Sequence, residues 1–205
     1  MNILGLLISF GLLLIAMTFH EFSHGWTAYK LGDTTAARQG RLTLNPLAHI
    51  DPVGTVLLPI LLFITTNGQF VFGAAKPVPI NYYALRNPRR DMLLIGLAGP
   101  LSNIILAALL SLILKGLNSA SLAAELIRNL AFINIILGIF NLLPIPPLDG
   151  SRVVAGLLPD SLAQAYNSLE PYGFIIIIGL MALGILNILI WPAIILTAKA
   201  LGIYV

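Results

Sequence analysis

His20-Glu21-Phe22-Ser23-His24 is the stretch of this sequence with the clearest capacity for chemistry. On a helix, residues four apart share a face. Both imidazoles can therefore converge on one ion from about 6 Å of axial rise apart, with Glu21 beside them. Zinc held in this way lowers the pKa of its water to about 7, and a neighbouring carboxylate can take the proton and pass it to a departing amine. The chemistry expected is metal-assisted hydrolysis. Chance placement of polar residues at a helix end is a poor rival explanation. The chain has three His and three Glu, and two of those His and one Glu fall within a run that holds no other ionisable residue back to Ile3. An ionisable group inside a membrane helix is costly and marks function by default.

Two protein ligands leave a hydrolytic zinc one short, because such sites use three plus water. The candidates for the third are His49, Asp51, Asp149 and Asp160. Asp149 is the most suggestive, since it closes Phe140-Asn141-Leu142-Leu143-Pro144-Ile145-Pro146-Pro147-Leu148-Asp149-Gly150, where an apolar helix breaks at prolines. Broken backbone at membrane depth is tolerated only beside a buried or water-filled cavity.

The elements that must position these residues are apolar. Of 205 residues 58% are hydrophobic and 9% charged, with mean hydropathy +0.95, which is outside the range of soluble domains. The chain reads as an all-α polytopic membrane protein with a small β element, forming one domain over residues 1–205. Four segments are long enough to span, roughly 2–28, 92–114, 127–143 and 173–203, the last interrupted near Trp191-Pro192. The first lacks a basic flank and a small-residue cleavage pattern, so it reads as a retained helix rather than a secretory signal. A fifth run, Val53 to Thr66, opens at Asp51-Pro52, contains Gly54 and Pro59 and ends in Asn67-Gly68, so it reads as re-entrant. Arg38 to Pro46 alternates apolar and polar residues as a strand does, and Gln69 to Gly73 is a second strand candidate.

Charge supports the re-entrant reading. Lys30, Arg38, Arg41, Lys76, Arg86, Arg89, Arg90 and Arg152 all fall on the cytoplasmic side only if 53–66 turns back. The eleven basic residues are spread over short loops and form no face for nucleic acid. Cysteine is absent, which excludes disulfides, a thiolate nucleophile and Cys-ligated zinc.

The two motifs together resemble the site-2 protease family of intramembrane zinc peptidases, whose signatures are H-E-x-x-H in one membrane helix and N-x-x-P-x-x-x-L-D-G in a later one. Asn141, Pro144, Leu148, Asp149 and Gly150 match the second, and Ala98-Gly99-Pro100-Leu101-Ser102-Asn103 is also family-like. The resemblance covers about residues 15–155. It implies one Zn2+ per chain on His20, His24 and Asp149, with Glu21 as general base and then acid. It further implies that Asn141 helps to bind substrate or the oxyanion. The substrate implied is a membrane-anchored protein, cut in or near its transmembrane segment. The setting is the bilayer of the cell membrane, with the site toward the cytoplasmic side. Some relatives carry PDZ or CBS domains, and this chain reads as a core without them. Its oligomeric state is not legible. The topology agrees with the implied ligand set: a re-entrant 53–66 brings helix one and the helix of Asn141 to end on the same face, so Asp149 can meet His20 and His24.

The remaining residues have plainer readings. His49 fits a polar loop, Asp51 a helix cap, Trp26 and Tyr29 an aromatic belt, and Arg86 to Asp91 a basic anchor at the lipid surface. Gly99-Pro100 and Asn103 fit a substrate channel and a plain helix contact equally well. Lys76-Pro77-Val78-Pro79 reads as an extended wall of the site. An extended substrate could pair with a strand near Arg41 to Leu44. The rival functions are a zinc-handling transporter and a non-catalytic membrane scaffold.

Overall fold

The computed structural model describes residues 3–65, 73 and 75–203. Three long helices form its centre: α1 (Ile3–Lys30), α4 (Pro88–Leu114) and α5 (Leu122–Asn141). Each is long and apolar enough to cross a membrane. Between α1 and α4 lie the single turn α2 (Thr35–Arg38) and α3 (Leu58–Thr65), the latter entered through a π-helical stretch Pro52–Leu57. After α5 come the amphipathic helices α6 (Asp149–Leu157) and α7 (Asp160–Asn167), then α8 (Gly173–Ala182) and α9 (Ile185–Ala200).

Helix α4 is the common partner: α1, α5 and α6 all pack on it. Its sequence explains why. Ile95, Gly96, Gly99, Pro100, Asn103, Ala107, Leu110 and Ser111 are buried and recur at helical spacing, and most are small. Small residues let helix backbones approach closely where no hydrophobic force drives helices together in lipid. The opposite stripe, with Leu94, Leu101, Ile105, Leu109 and Leu112, is exposed and apolar, as a lipid-facing surface is.

The contacts fix the helix directions. His24 of α1 meets Ile95, and Ala16 meets Asn103 further along α4, so α1 and α4 run antiparallel. Asn103 meets Asn134, and the Gly138 backbone lies against Pro100 and Ile104, so α5 is antiparallel to α4. The C-terminal end of α1, the N-terminal end of α4 and the C-terminal end of α5 therefore gather at one end of the bundle. Residues 31–87 leave and return to that end.

Several expectations change. Among the described residues there is no strand, and the expected β element at 38–46 is instead the end of α2, a turn at Gly40 (φ 66°) and a loop into the 3-10 turn Pro46–His49. The cause is Arg41. Its side chain is buried and its guanidinium donates to the carbonyls of Ala48, Lys76 and Pro77, gathering the loop inward where a flat strand cannot run. The strand expected to receive an extended substrate at 41–44 is thereby also absent. Of the second strand candidate, Gln69 to Phe72 lie outside the described residues. The C-terminal apolar segment breaks at Leu183-Gly184 rather than at Trp191-Pro192, and the stretch Asp160–Ala182 meets α9 at 83°. Gly184 adopts φ 69°, which turns the chain without Cβ strain, whereas Pro192 lies inside α9.

Asp51 caps the stretch that follows it. Its Oδ1 accepts from Val53 and Gly54 at 3.0 and 2.6 Å, and Thr55 Oγ1 accepts from the Asp51 amide at 2.8 Å. Trp26 and Tyr29 are exposed, and the Lys30 ammonium lies 5.4 Å from the Trp26 ring centroid.

Candidate metal centre

His20 and His24 share one face of α1 and point into the contact with α4, where both are buried. Asp149 is the first residue of α6, reached through the proline-rich break after α5, and it too is buried. The three residues meet in a triangle. Asp149 Oδ2 lies 2.9 Å from His20 Nε2 and 3.0 Å from His24 Nε2, and the two Nε2 atoms are 3.1 Å apart.

What lies behind the triangle determines its chemistry. His24 Nδ1 is 2.7 Å from the Ile95 carbonyl, which can only accept, so Nδ1 carries the proton and Nε2 presents a lone pair. His20 Nδ1 faces Asn103 Oδ1 at 2.6 Å in the same way. Two imidazole lone pairs and a carboxylate oxygen at such separations repel one another unless a cation or a proton lies among them. Tetrahedral zinc with bonds of about 2.0–2.1 Å sets its ligands about 3.3 Å apart, close to the edges seen here. Two neutral His and one carboxylate fit zinc and leave one position open, as catalytic sites require.

Gly99 makes room for this pair. A Cβ there would stand 2.6 Å from His24 Cε1 and 2.7 Å from His20 Cε1. Gly99→Ala is expected to lower zinc affinity at least about tenfold in chelator competition, a loss of the size seen when a ligand's surroundings are disturbed. Gly179→Ala, where a Cβ meets nothing within 4 Å, should leave the affinity unchanged.

Glu21 is half-buried, and its Oε2 accepts from the Val78 amide at 2.9 Å. That bond ties α1 to the segment 76–81, which forms neither helix nor strand. The same segment is held by the Lys76 amide on the His49 carbonyl at 2.9 Å and the Asn81 amide on Asp33 Oδ2 at 2.6 Å. Burial pushes the Asp33 carboxyl up, but hydrogen bonds from Thr35 and the Asn81 amide outweigh it and hold the group below its ordinary value.

The other candidates lie elsewhere. His49 is buried with Nε2 donating to the Thr43 carbonyl at 2.9 Å, and Asp160 is exposed and 3.3 Å from Arg89. Asn141 donates to the Leu137 carbonyl of its own helix at 3.0 Å. The Arg89 guanidinium, expected as a lipid anchor, also binds the carbonyls of Gly156 and Leu158, clasping the end of α6.

Residues 116–186 match the model for peptidase family M50. Over 189 residues the chain is 37% identical to "Putative zinc metalloprotease YwhC" of Bacillus subtilis, an alignment covering 88% of this chain and 82% of that protein. The chain belongs to peptidase family M50. As an M50 peptidase it is also similar to proteins named Rip2 in two mycobacteria. Identity to that of Mycolicibacterium smegmatis is 31%, covering 85% of this chain and 66% of the relative. Identity to that of Mycobacterium tuberculosis H37Rv is 35%, covering 77% and 59%. No solved structure matches the chain.

Two contributors to this M50 site escaped the sequence reading. Arg152 entered it only as a topological charge, yet its Nη1 donates to Asp149 Oδ1 at 3.1 Å and leaves Oδ2 to face the imidazoles. The signal was present, since Asp and Arg three apart on a helix are neighbours. Asn134, wholly buried, is bonded to Asn103 at 2.7 Å, and its signal in the sequence is an amide in the middle of an apolar helix, which needs a partner.

Proposed function

We propose that this chain is a zinc metalloendopeptidase that cuts membrane-anchored proteins in or near their transmembrane segments. The observation that carries the reading is the buried triangle of His20 Nε2, His24 Nε2 and Asp149 Oδ2, built between helices apolar enough to cross a bilayer. In it His20, His24 and Asp149 hold one Zn2+ per chain. When bound, zinc polarises a carbonyl and lowers the pKa of a water to about 7. Glu21 takes the proton from the attacking water and delivers it to the leaving amine. Asn141 binds substrate or the oxyanion once its amide leaves the Leu137 carbonyl. The nearby apolar helices exclude bulk water, so a substrate helix has to unwind locally to present its carbonyl.

In this reading residues 1–205 act as one membrane-embedded domain, and 53–66 re-enters. The gathering of three helix ends on one side, together with the basic residues of 30–90 and Arg152, supports a site toward the cytoplasmic face of the cell membrane. The stretch Pro52–Thr65 is also short for a span, at about 20 Å against a core of about 30 Å.

The test is metal analysis of detergent-purified protein beside a cleavage assay on single-span substrates. About one zinc per chain is expected, with cleavage lost on chelation and restored by zinc. Cleavage that persists after complete zinc removal would sink the proposal.

A further inference from the structure

A line of buried side-chain amides runs from the metal triangle across three helices. His20 Nδ1 lies 2.6 Å from Asn103 Oδ1. Asn103 Nδ2 donates to the Ala16 carbonyl at 3.1 Å and to Asn134 Oδ1 at 2.7 Å. Asn134 Nδ2 donates to the Leu130 carbonyl at 2.8 Å. Both asparagines are wholly buried.

The ends of this line allow only one polarity. A backbone carbonyl can accept but never donate, so the Leu130 carbonyl requires the NH2 of Asn134 and turns its oxygen toward Asn103. That oxygen and the Ala16 carbonyl both require the NH2 of Asn103, which turns Asn103 Oδ1 toward His20. An acceptor there requires N–H at His20 Nδ1. The remaining nitrogen, Nε2, is then left with its lone pair aimed at Asp149.

We infer that Asn103 and Asn134 form a positioning relay that sets the tautomer and ring orientation of His20 for metal binding, with Asn103 in direct contact and Asn134 fixing Asn103. Two observations separate this from plain helix packing. Every donor and acceptor in the line is used in one direction, and the line ends on a ligand atom's own ring. Outer partners of this kind orient ligands and typically change metal affinity about 10–100-fold when removed. His24 has a backbone acceptor, the Ile95 carbonyl, which no substitution can delete; His20 depends on side chains. The inference rests on the zinc reading above.

The experiment measures zinc affinity by chelator competition on detergent-solubilised full-length protein, for the unsubstituted chain and for Asn103→Leu, Asn103→Asp and Asn134→Leu. Asn103→Leu, similar in size but without an acceptor, is expected to weaken zinc about 10–100-fold. Asn134→Leu should weaken it about several-fold, because Asn103 keeps its bond to Ala16. Asn103→Asp should bind zinc more tightly than Asn103→Leu, since a carboxylate still accepts from His20 Nδ1. A purely structural role predicts the reverse order, because a buried carboxylate facing two carbonyl oxygens is worse than leucine for folding. Asn103→Leu binding zinc as tightly as the unsubstituted protein would overturn the relay, and so would Asn103→Asp binding no better than Asn103→Leu. Should Asn103→Leu fail to fold, Asn134→Leu and Asn103→Asp carry the test: unchanged affinity in the first, or loss of zinc in a folded second, overturns it. If the unsubstituted chain holds no zinc, the functional reading falls and the relay with it.

Discussion

Asp149→Ala is expected to lose zinc and cleavage together. In the proposed site Asp149 supplies one of three protein ligand atoms, and its Oδ2 is the point on which both Nε2 atoms converge at 2.9 and 3.0 Å. If a ligand carries about a quarter of the roughly 10–16 kcal/mol of a four-ligand zinc site, its removal weakens binding about 10²–10³-fold. Cleavage should fall to background, because two histidines alone leave the metal neither held nor directed. The fold should survive, since the one permanently charged partner left behind, Arg152, is half-exposed and can turn to solvent, while both imidazoles keep their Nδ1 bonds to Asn103 and Ile95. Metal content of the purified variant and its turnover of a single-span substrate are the two measurements. Full zinc occupancy with normal turnover would remove Asp149 from the site.

Glu21→Gln should separate binding from chemistry. Glutamine keeps an acceptor for the Val78 amide, now 2.9 Å from Glu21 Oε2, so the segment 76–81 is expected to stay in place and zinc to stay bound. What is lost is the carboxylate proposed to move the proton, and cleavage is expected to fall about 10²–10⁴-fold. This variant also discriminates against the transporter, whose flux depends on ligands that Glu21→Gln leaves intact. A variant that cleaves within a few-fold of the parent would show that Glu21 is not the base.

What could be read from the sequence was local or periodic. Four-residue spacing placed His20 and His24 on one face, and the prolines before Asp149 marked the break after which it meets them. Spans followed from apolar length, although α4 begins at Pro88, four residues before the expected start, because Asn87 and Asp91 close its first turn with a 2.9 Å bond. The errors came where tertiary contacts override pattern. Residues 38–46 alternate as a strand does, yet Arg41 spends its guanidinium on carbonyls as far away as Pro77. Pro192 is the stronger helix breaker by rule, but neighbours in a membrane protein tolerate it, and Gly184 made the turn instead. The Asn103–Asn134 bond joins residues 31 apart, and nothing in the order of residues announces it.

Helix α4 contributes no atom to the triangle, yet α1 and α6, which supply all of it, both rest against α4. An ion gripped by His20, His24 and Asp149 would therefore stitch the beginning of the chain to a segment more than a hundred residues later, across the helix on which both rest. Occupancy of the site would then be felt first in the short helix that starts at Asp149.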